Sequence, residues 1–145
     1  MIFIIGFTAS GKTTIGRNLS LYLKRPFIDL DEEIEKYSGM TVSQFFETHG
    51  EKHFRNLETE VLQKVISEAS EKSVIATGGG TPCFNNNIGL LINNGLVVYL
   101  KAELEDILQN LNADEIRKRP LISNSFKSDL RLWITSSLAN REPFY

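Results

Sequence analysis

A segment near the N-terminus combines residue types and a spacing that bind phosphate groups. It reads Gly6-Phe7-Thr8-Ala9-Ser10-Gly11-Lys12-Thr13 and fits the pattern G-x-x-x-x-G-K-[ST]. The glycines let backbone N–H groups approach phosphate oxygens, and the helix predicted to follow directs its dipole at the anion. We expect Lys12 to reach the outer phosphates of a nucleoside triphosphate and the Thr13 hydroxyl to ligate Mg²⁺. The residues predicted to hold this nucleotide are Gly6, Ala9, Ser10, Gly11, Lys12, Thr13 and Thr14.

A glycine triplet at Gly78, Gly79 and Gly80 separates this chain from other nucleotide-binding classes. The triplet follows the apolar residues 74–76, where an ATPase motor usually carries an acidic residue. The Asn-Lys-x-Asp sequence with which GTPases read guanine does not occur in the chain. Glycines at the end of a strand let a ligand approach the backbone closely. The triplet therefore favours a small second substrate beside the phosphates, as in a small-molecule kinase.

Two aspartates, Asp29 and Asp31, stand two residues apart at the end of a predicted strand. With this spacing both carboxylates can point the same way. One can lie near Mg²⁺ while the other accepts hydrogen bonds from substrate hydroxyls. The alternative is structural: Asp31 caps a helix and Asp29 ends the strand.

Several charged residues, together with Cys83 and Trp133, are open to both a functional and a structural interpretation. Arg55 and Glu58 are three residues apart and could form an ordinary surface pair. Arg141 could be a solvated charge near the end of the chain, and residues 117–120 could be a soluble charged loop. For Cys83 and Trp133, the sequence favours packing against neighbours over contact with a ligand.

Apolar periodicity indicates how these residues are positioned. Short apolar runs predict buried strands at residues 2–5, 27–29, 74–76 and 96–100. Helical spacing predicts helices at 12–24, 31–36, from 41 onward, 51–69, 85–94, 104–111 and 130–138. Residues 112–125 have no periodicity. Alternating strands and helices indicate a parallel α/β sheet with helices on both faces, which binds ligands beyond the carboxyl ends of its strands.

Composition narrows the function classes further. The 145 residues are enough for one domain, taken here as 1–145, and 41% of them are hydrophobic. A net charge of -2 disfavours a general nucleic-acid binder. The single cysteine, Cys83, excludes an intramolecular disulfide and a Cys-based structural zinc site. The apolar start is too short to cross a membrane, so we expect a cytoplasmic protein that binds no membrane.

In combination, these motifs resemble those of the shikimate kinases, small P-loop enzymes of aromatic amino-acid biosynthesis. The matching segments keep the family's order and approximate spacing: Gly6 to Thr13, Phe27 to Asp31, Phe54 to Glu58, Thr77 to Gly80, Arg119 to Leu121, and Arg141 with Tyr145. The resemblance implies a three-layer P-loop kinase fold with a short mobile lid at about 112–125. It also implies transfer of the ATP γ-phosphoryl to the 3-hydroxyl of shikimate.

The resemblance further implies a role for each matching residue. Shikimate is expected at Asp31, Arg55, Arg141 and the three glycines Gly78, Gly79 and Gly80, with the two arginines on its carboxylate. Thr13 is expected to hold Mg²⁺ with assistance from Asp29, and Glu58 to orient Arg55. Arg119, in the lid, is expected to join Lys12 and Asp31 as a catalytic residue and to contact ATP. A monomer is expected.

One departure from the family pattern follows Arg141. There the family continues into a further strand and a closing helix, whereas this sequence ends at Tyr145. We therefore expect either a tail outside this sequence or a shortened sheet. Two alternatives to a shikimate kinase stay open: another P-loop kinase acting on gluconate or a nucleotide, and a nucleotide-binding module without catalysis.

Overall fold

The computed structural model describes residues 1–111 and 130–145. Its helices and strands are β1 (Ile2–Ile5), α1 (Lys12–Leu23), β2 (Phe27–Asp29), α2 (Leu30–Ser38), α3 (Val42–Glu68), β3 (Val74–Ala76), α4 (Asn87–Asn94), β4 (Leu96–Tyr99), α5 (Leu104–Asn110) and α6 (Leu130–Arg141). Single 3₁₀ turns lie at Thr81–Cys83 and Glu142–Phe144. The expected lid at 112–125 lies outside the described residues.

The strands form a parallel sheet in the order β2-β3-β1-β4. In its register Phe3 lies opposite Ile75 on one side and Val97 on the other, and Ile28 continues the row on β2. These apolar strands have to be covered on both faces, as is usual for parallel sheets. The prediction of a parallel α/β sheet is confirmed.

Helices cover both faces of the sheet. On one face the side chains of Phe3, Ile5 and Ile75 pack in a core with residues of α2, α3 and α4. On the other face α1 lies close, and Gly16 approaches both Ile4 and Phe27. A second apolar cluster joins Phe7 to α5 and α6. The three layers expected from the sequence are therefore present.

Helix α3 consists of two segments that meet at Gly50. This glycine has φ 78° and ψ 170°, which breaks the helical path. The first segment begins at Val42 and is capped by Thr41, whose side chain accepts from the backbone N–H of Gln44, while the Gln44 side chain accepts from the N–H of Thr41. The second segment carries Phe54, Arg55 and Glu58 into the core. The sequence-based expectation of two helices here is confirmed.

Helix α4 begins two residues later than expected. Asn85 and Asn86 have φ values of 51° and 55°, the left-handed region that asparagine tolerates better than most residues. A right-handed helix can begin only after them, at Asn87. In the described part of the chain, no helix has the length and apolar character needed to cross a membrane.

Gly16 sets the distance between α1 and the sheet and provides a test of the packing. A Cβ at this position would lie 2.6 Å from Phe27 Cε2 and 3.3 Å from Ile4 Cδ1. We expect Gly16→Ala to lower the free energy of unfolding by about 1–3 kcal/mol, although alanine favours helices. Urea denaturation measures the change. The control is Asn18→Ala on the exposed side of the same helix, expected within about 0.5 kcal/mol of the parent. A stabilised Gly16→Ala protein would contradict the packing.

Candidate active site

The phosphate-binding loop connects β1 to α1. The Lys12 ammonium donates to the carbonyl oxygen of Phe7 at 2.7 Å, across the loop. Gly11 (φ 89°) and Ala9 (φ 61°) both have left-handed backbone conformations, and such a conformation is strained for alanine. The Asn110 side chain of α5 donates to the Ala9 carbonyl at 2.9 Å and supports the loop. The loop leads directly into α1, and the N-terminus of a helix favours an anion.

Oxygen donors suited to a hard cation lie beside this loop. The Thr13 hydroxyl donates to Asp29 Oδ2 at 2.7 Å. The other oxygen of this carboxylate, Asp29 Oδ1, accepts from the backbone N–H of Asp31 at 3.0 Å, so Asp29 caps α2. The interpretation of Asp31 as the helix cap is wrong, because α2 begins at Leu30 and its N-terminus is already capped by Asp29. A hydroxyl and a carboxylate at this position fit Mg²⁺.

A cleft of about 830 Å³ opens between the loop, α2, α3 and the segment after β3. Its lining contains most of the predicted site residues: Ala9, Gly11, Lys12, Thr13, Thr14, Asp29, Asp31, Arg55, Gly78, Gly79, Gly80 and Arg141. Gly6 and Ser10 are not among the residues that line it. Gly6 begins the loop with φ 150°, and Ser10 lines a smaller cavity of about 450 Å³ between α1 and α5. Arg119 lies outside the described residues.

The glycine triplet is required by close contacts on three sides. A Cβ on Gly78 would lie 3.0 Å from Asp31 Oδ1, and one on Gly79 would lie 2.6 Å from Thr8 Oγ1. On Gly80 it would lie 2.6 Å from Arg55 Nη2. The triplet therefore forms the floor of the cleft, in contact with the phosphate loop on one side and with Arg55 on the other.

Arg55 projects from α3 into a nearly closed environment. Its Nη1 donates to Glu58 Oε2 at 2.9 Å, and its Nη2 donates to Glu51 Oε1 at 3.2 Å. The side chains of Arg55 and Glu58 are only 8% and 1% exposed. The interpretation of this pair as an ordinary surface pair is wrong, because α3 turns both residues toward the glycine triplet.

Arg141, at the end of α6, is half-buried rather than solvated. Its Cζ lies 5.4 Å from the centre of the Phe7 ring. Tyr145 follows closely, and its hydroxyl donates to the Gly79 carbonyl at 2.6 Å. Burial raises the pKa of Tyr145 above its ordinary value, so the phenol keeps the proton that it donates. The end of the described chain is thus attached to the floor of the cleft.

Trp133 and several other residues were not predicted as part of this site. Trp133 packs near Phe7, with 6.3 Å between ring centroids, which confirms its assignment to packing, and it also lines the cleft. Phe46 and Phe54 line the cleft as well. Their helical spacing indicates only an apolar face. Thr81 directly follows the glycine triplet, and this position could have marked it in the sequence as a residue that supports the site.

The fold and the cleft together define a P-loop kinase of the α/β class. A family model described as shikimate kinase matches residues 8–145. The shikimate kinase of Flavobacterium johnsoniae is 41% identical over 145 residues, which cover 99% of this chain and 83% of that one. The shikimate kinase of Caldicellulosiruptor bescii is 42% identical over 144 residues, with 99% and 80% covered.

Solved structures agree with these relatives. A shikimate kinase from Acinetobacter baumannii, solved in complex with shikimate, superposes with a TM-score of 0.89 at 37% identity, over 99% of this chain and 76% of that one. The shikimate kinase from Bacteroides thetaiotaomicron gives a TM-score of 0.86 at 35% identity, over 99% and 80%. The chain belongs to the shikimate kinase family.

The Cys83 thiol lies within electrostatic reach of both cleft arginines. Burial raises its pKa above the ordinary value, although the charges of Arg141 and Arg55 oppose the shift. Since only the thiolate is alkylated, we expect Cys83 to react with iodoacetamide at pH 8 at least about tenfold more slowly in the native protein than in the urea-unfolded chain. When the pH is increased, the alkylation rate of Cys83 in the native protein should begin to rise at a higher pH than the alkylation rate of an exposed thiol.

A cysteine at exposed Ser67 is the matched control for this measurement. In the variant Cys83→Ala with Ser67→Cys, the native protein is expected to react at nearly the unfolded rate. Equal native rates for Cys83 and the cysteine at position 67 would contradict the burial of the Cys83 thiol.

Proposed function

We propose that this chain is an ATP-dependent shikimate kinase, which transfers the γ-phosphoryl of ATP to the 3-hydroxyl of shikimate and yields shikimate 3-phosphate and ADP. The observation that carries the proposal is the shared cleft. Lys12 and Thr13 of the phosphate loop face the same space as Asp31, Arg55 and Arg141. One half of the cleft suits a triphosphate, and the other suits a small hydroxylated carboxylate. The shikimate kinase from Acinetobacter baumannii was solved in complex with shikimate.

On the donor side, the residues proposed to hold ATP are those of the phosphate loop. Backbone N–H groups from Ala9 to Thr14 cradle the phosphates, with Gly6 and Gly11 allowing the tight path. Lys12 exchanges its contact with the Phe7 carbonyl for the outer phosphates. We place the nucleoside toward the smaller cavity lined by Ser10 and Asn110.

Thr13 and Asp29 are the residues proposed to hold Mg²⁺. Their oxygens are already 2.7 Å apart at the edge of the loop, with the hydroxyl as direct ligand and the carboxylate assisting. When bound, the cation supplies positive charge that offsets the negative charge of the β- and γ-phosphates.

On the acceptor side, Asp31 lies between the phosphates and the glycine triplet. It orients the 3-hydroxyl, whose oxygen attacks the γ-phosphorus while the bond from that phosphorus to the β–γ bridging oxygen breaks. ADP leaves, and the hydroxyl proton passes to the Asp31 carboxylate. Arg55 and Arg141 offer planar pairs of N–H groups to the acceptor carboxylate, and Gly78, Gly79 and Gly80 provide room for the ring.

Arg119 completes the proposed catalytic set, although it lies outside the described residues. Pro120 disfavours helical geometry at Arg119, which suits an arginine that projects from a lid over the phosphates. We propose, as the resemblance to the family implies, that residues 112–125 form this lid. A closed lid would exclude water during phosphoryl transfer. We further propose a cytoplasmic monomer.

A coupled assay of ADP release, with and without shikimate, tests the function. We expect release that depends on shikimate, and little release with gluconate or a nucleoside monophosphate. Turnover of one of those acceptors without turnover of shikimate would replace the proposal with another P-loop kinase. ATP binding without ADP release for any acceptor would indicate a module that no longer catalyses.

Lys12 is expected to act mainly in the transition state. Its ammonium stabilises charge that develops on the transferred phosphoryl group more than it stabilises bound ATP. We expect Lys12→Ala to lower kcat by at least about a hundredfold with an unchanged circular dichroism spectrum. Lys72→Ala, at an exposed position away from the loop, is the control and should keep its kcat. A Lys12→Ala enzyme with kcat near that of the parent would contradict this role.

Asp31 and Arg141 are expected to affect different kinetic constants. Asp31→Asn keeps the shape but loses the proton acceptor, so kcat should fall about a hundredfold or more. Arg141→Ala removes a contact to the remote carboxylate, so the KM for shikimate should rise about tenfold or more while kcat changes less. Steady-state kinetics on both variants measure the split. Equal losses in kcat for the two variants would show that the roles are not separate.

A further inference from the structure

The Arg55 guanidinium is held by more than its two carboxylate partners. Phe84 lies under it, with 4.3 Å between Arg55 Cζ and the ring centre. Phe54 and Phe46 lie farther away, at 5.3 and 5.7 Å. An aromatic face that supports a guanidinium leaves the N–H groups in its plane free for carboxylates. Phe84 therefore sets the tilt of that plane without using the donors that a substrate needs.

Glu58, the buried partner of Arg55, is itself fixed by Thr81. One carboxylate oxygen, Oε2, accepts from Arg55 at 2.9 Å, and the other, Oε1, accepts from the Thr81 hydroxyl at 2.6 Å. Thr81 and Glu58 are 0% and 1% exposed. A buried carboxylate is costly unless both oxygens are hydrogen-bonded. The Thr81 hydroxyl meets this need and fixes the rotation of the carboxylate.

Thr81 and Phe84 belong to one rigid segment that follows the glycine triplet. The backbone N–H of Thr81 donates to the Gly78 carbonyl at 3.2 Å, and that of Cys83 donates to the Gly80 carbonyl at 2.9 Å. The Asn85 side chain then donates to the Arg55 carbonyl at 3.0 Å. The segment thus touches Arg55 and its partner at the guanidinium, the carboxylate and the main chain.

We infer that Thr81 and Phe84 are positioning residues for the substrate carboxylate, acting through Glu58 and Arg55. This inference rests on the proposed function, because the carboxylate in question is that of the acceptor. Neither residue is among those that line the cleft with the phosphate loop. Loss of either support is therefore expected to weaken acceptor binding while ATP binding and the phosphoryl-transfer step change little.

Steady-state kinetics on position 81 provide the main test. Thr81→Val keeps the shape and removes the hydroxyl, and we expect the KM for shikimate to rise about tenfold, with the KM for ATP and kcat within about threefold of the parent. Thr81→Ser restores the hydroxyl and is expected to return the KM for shikimate to within about twofold. Phe84→Leu is expected to raise that KM without changing the KM for ATP.

Thr48→Val is the matched control. The Thr48 hydroxyl lies on α3 and donates to the Gln44 carbonyl at 2.8 Å, rather than to Arg55, Glu58 or the segment after the glycine triplet. This variant tests a general loss of packing near α3, and its KM for shikimate should stay within about twofold. A Thr81→Val enzyme with an unchanged KM for shikimate, or with equal rises for shikimate and ATP, would overturn the inference.

A readout that needs no turnover separates this inference from the proposed function. In protein labelled with ¹⁵N-arginine, restrained Arg55 should give separate Nη signals, identified by their loss in Arg55→Lys. Thr81→Val should merge these signals, and Thr81→Ser should retain them. If the parent does not phosphorylate shikimate, the proposed function fails while this measurement still tests the link from Thr81 to Arg55. Unchanged signals in a folded Thr81→Val protein would overturn that link.

Discussion

The parallel pairing of β1 with β3 is the constraint on which the cleft depends. Ile4 lies opposite Ala76, and beyond this point Thr77 continues the contact through its backbone N–H, 3.1 Å from the Ile4 carbonyl. Because the two strands end at the same level, the phosphate loop and the glycine triplet that follow them lie side by side. Gly79 then contacts Thr8, which sets the distance between the donor and acceptor halves. A slip of one residue would turn every side chain of β3 to the opposite face of the sheet.

In the proposed acceptor half of the cleft, the charged pair Arg55 and Glu58 is buried where water is largely excluded. Burying Arg55 and Glu58 costs several kcal/mol of hydration, which their attraction offsets only with good geometry and further hydrogen bonds. A pair of apolar residues would pack there at a smaller cost. The charged pair therefore makes better sense as a rigid binding group than as a source of stability. A guanidinium held in one orientation binds a carboxylate with little further loss of side-chain freedom.

The donor half works on a different physical basis. The phosphate loop offers Lys12 and Thr13 as side chains, and the rest of its proposed binding capacity comes from backbone N–H groups and the start of α1. Its shape depends on residues that accept a left-handed backbone, among them Ala9, which the Asn110 side chain supports through the Ala9 carbonyl. Phosphoryl transfer needs mainly alignment and charge compensation. In the proposed function, the loop and the buried Arg55–Glu58 pair on opposite sides of the glycine triplet provide both.

The sequence by itself determined the helices and strands and the position of the phosphate loop. Apolar periodicity locates the described strands and helices to within a few residues, and the phosphate-binding pattern lies within a single strand–loop–helix unit, so its geometry is local. The spacing of Asp29 and Asp31 likewise indicated a shared site, although not which of them caps α2.

Tertiary structure alone decided whether Arg55 and Glu58 form a surface pair or a buried pair beside the glycine triplet. Their spacing allows both, and the outcome depends on the direction in which α3 packs after the break at Gly50. The same holds for Trp133, Thr81 and Phe84, whose contacts join segments far apart in the chain. Periodicity reports which face of an element is apolar, but it carries no information on which distant residue that face will meet. Contacts of this kind arise only when the sheet order and the packing of its helices are set together.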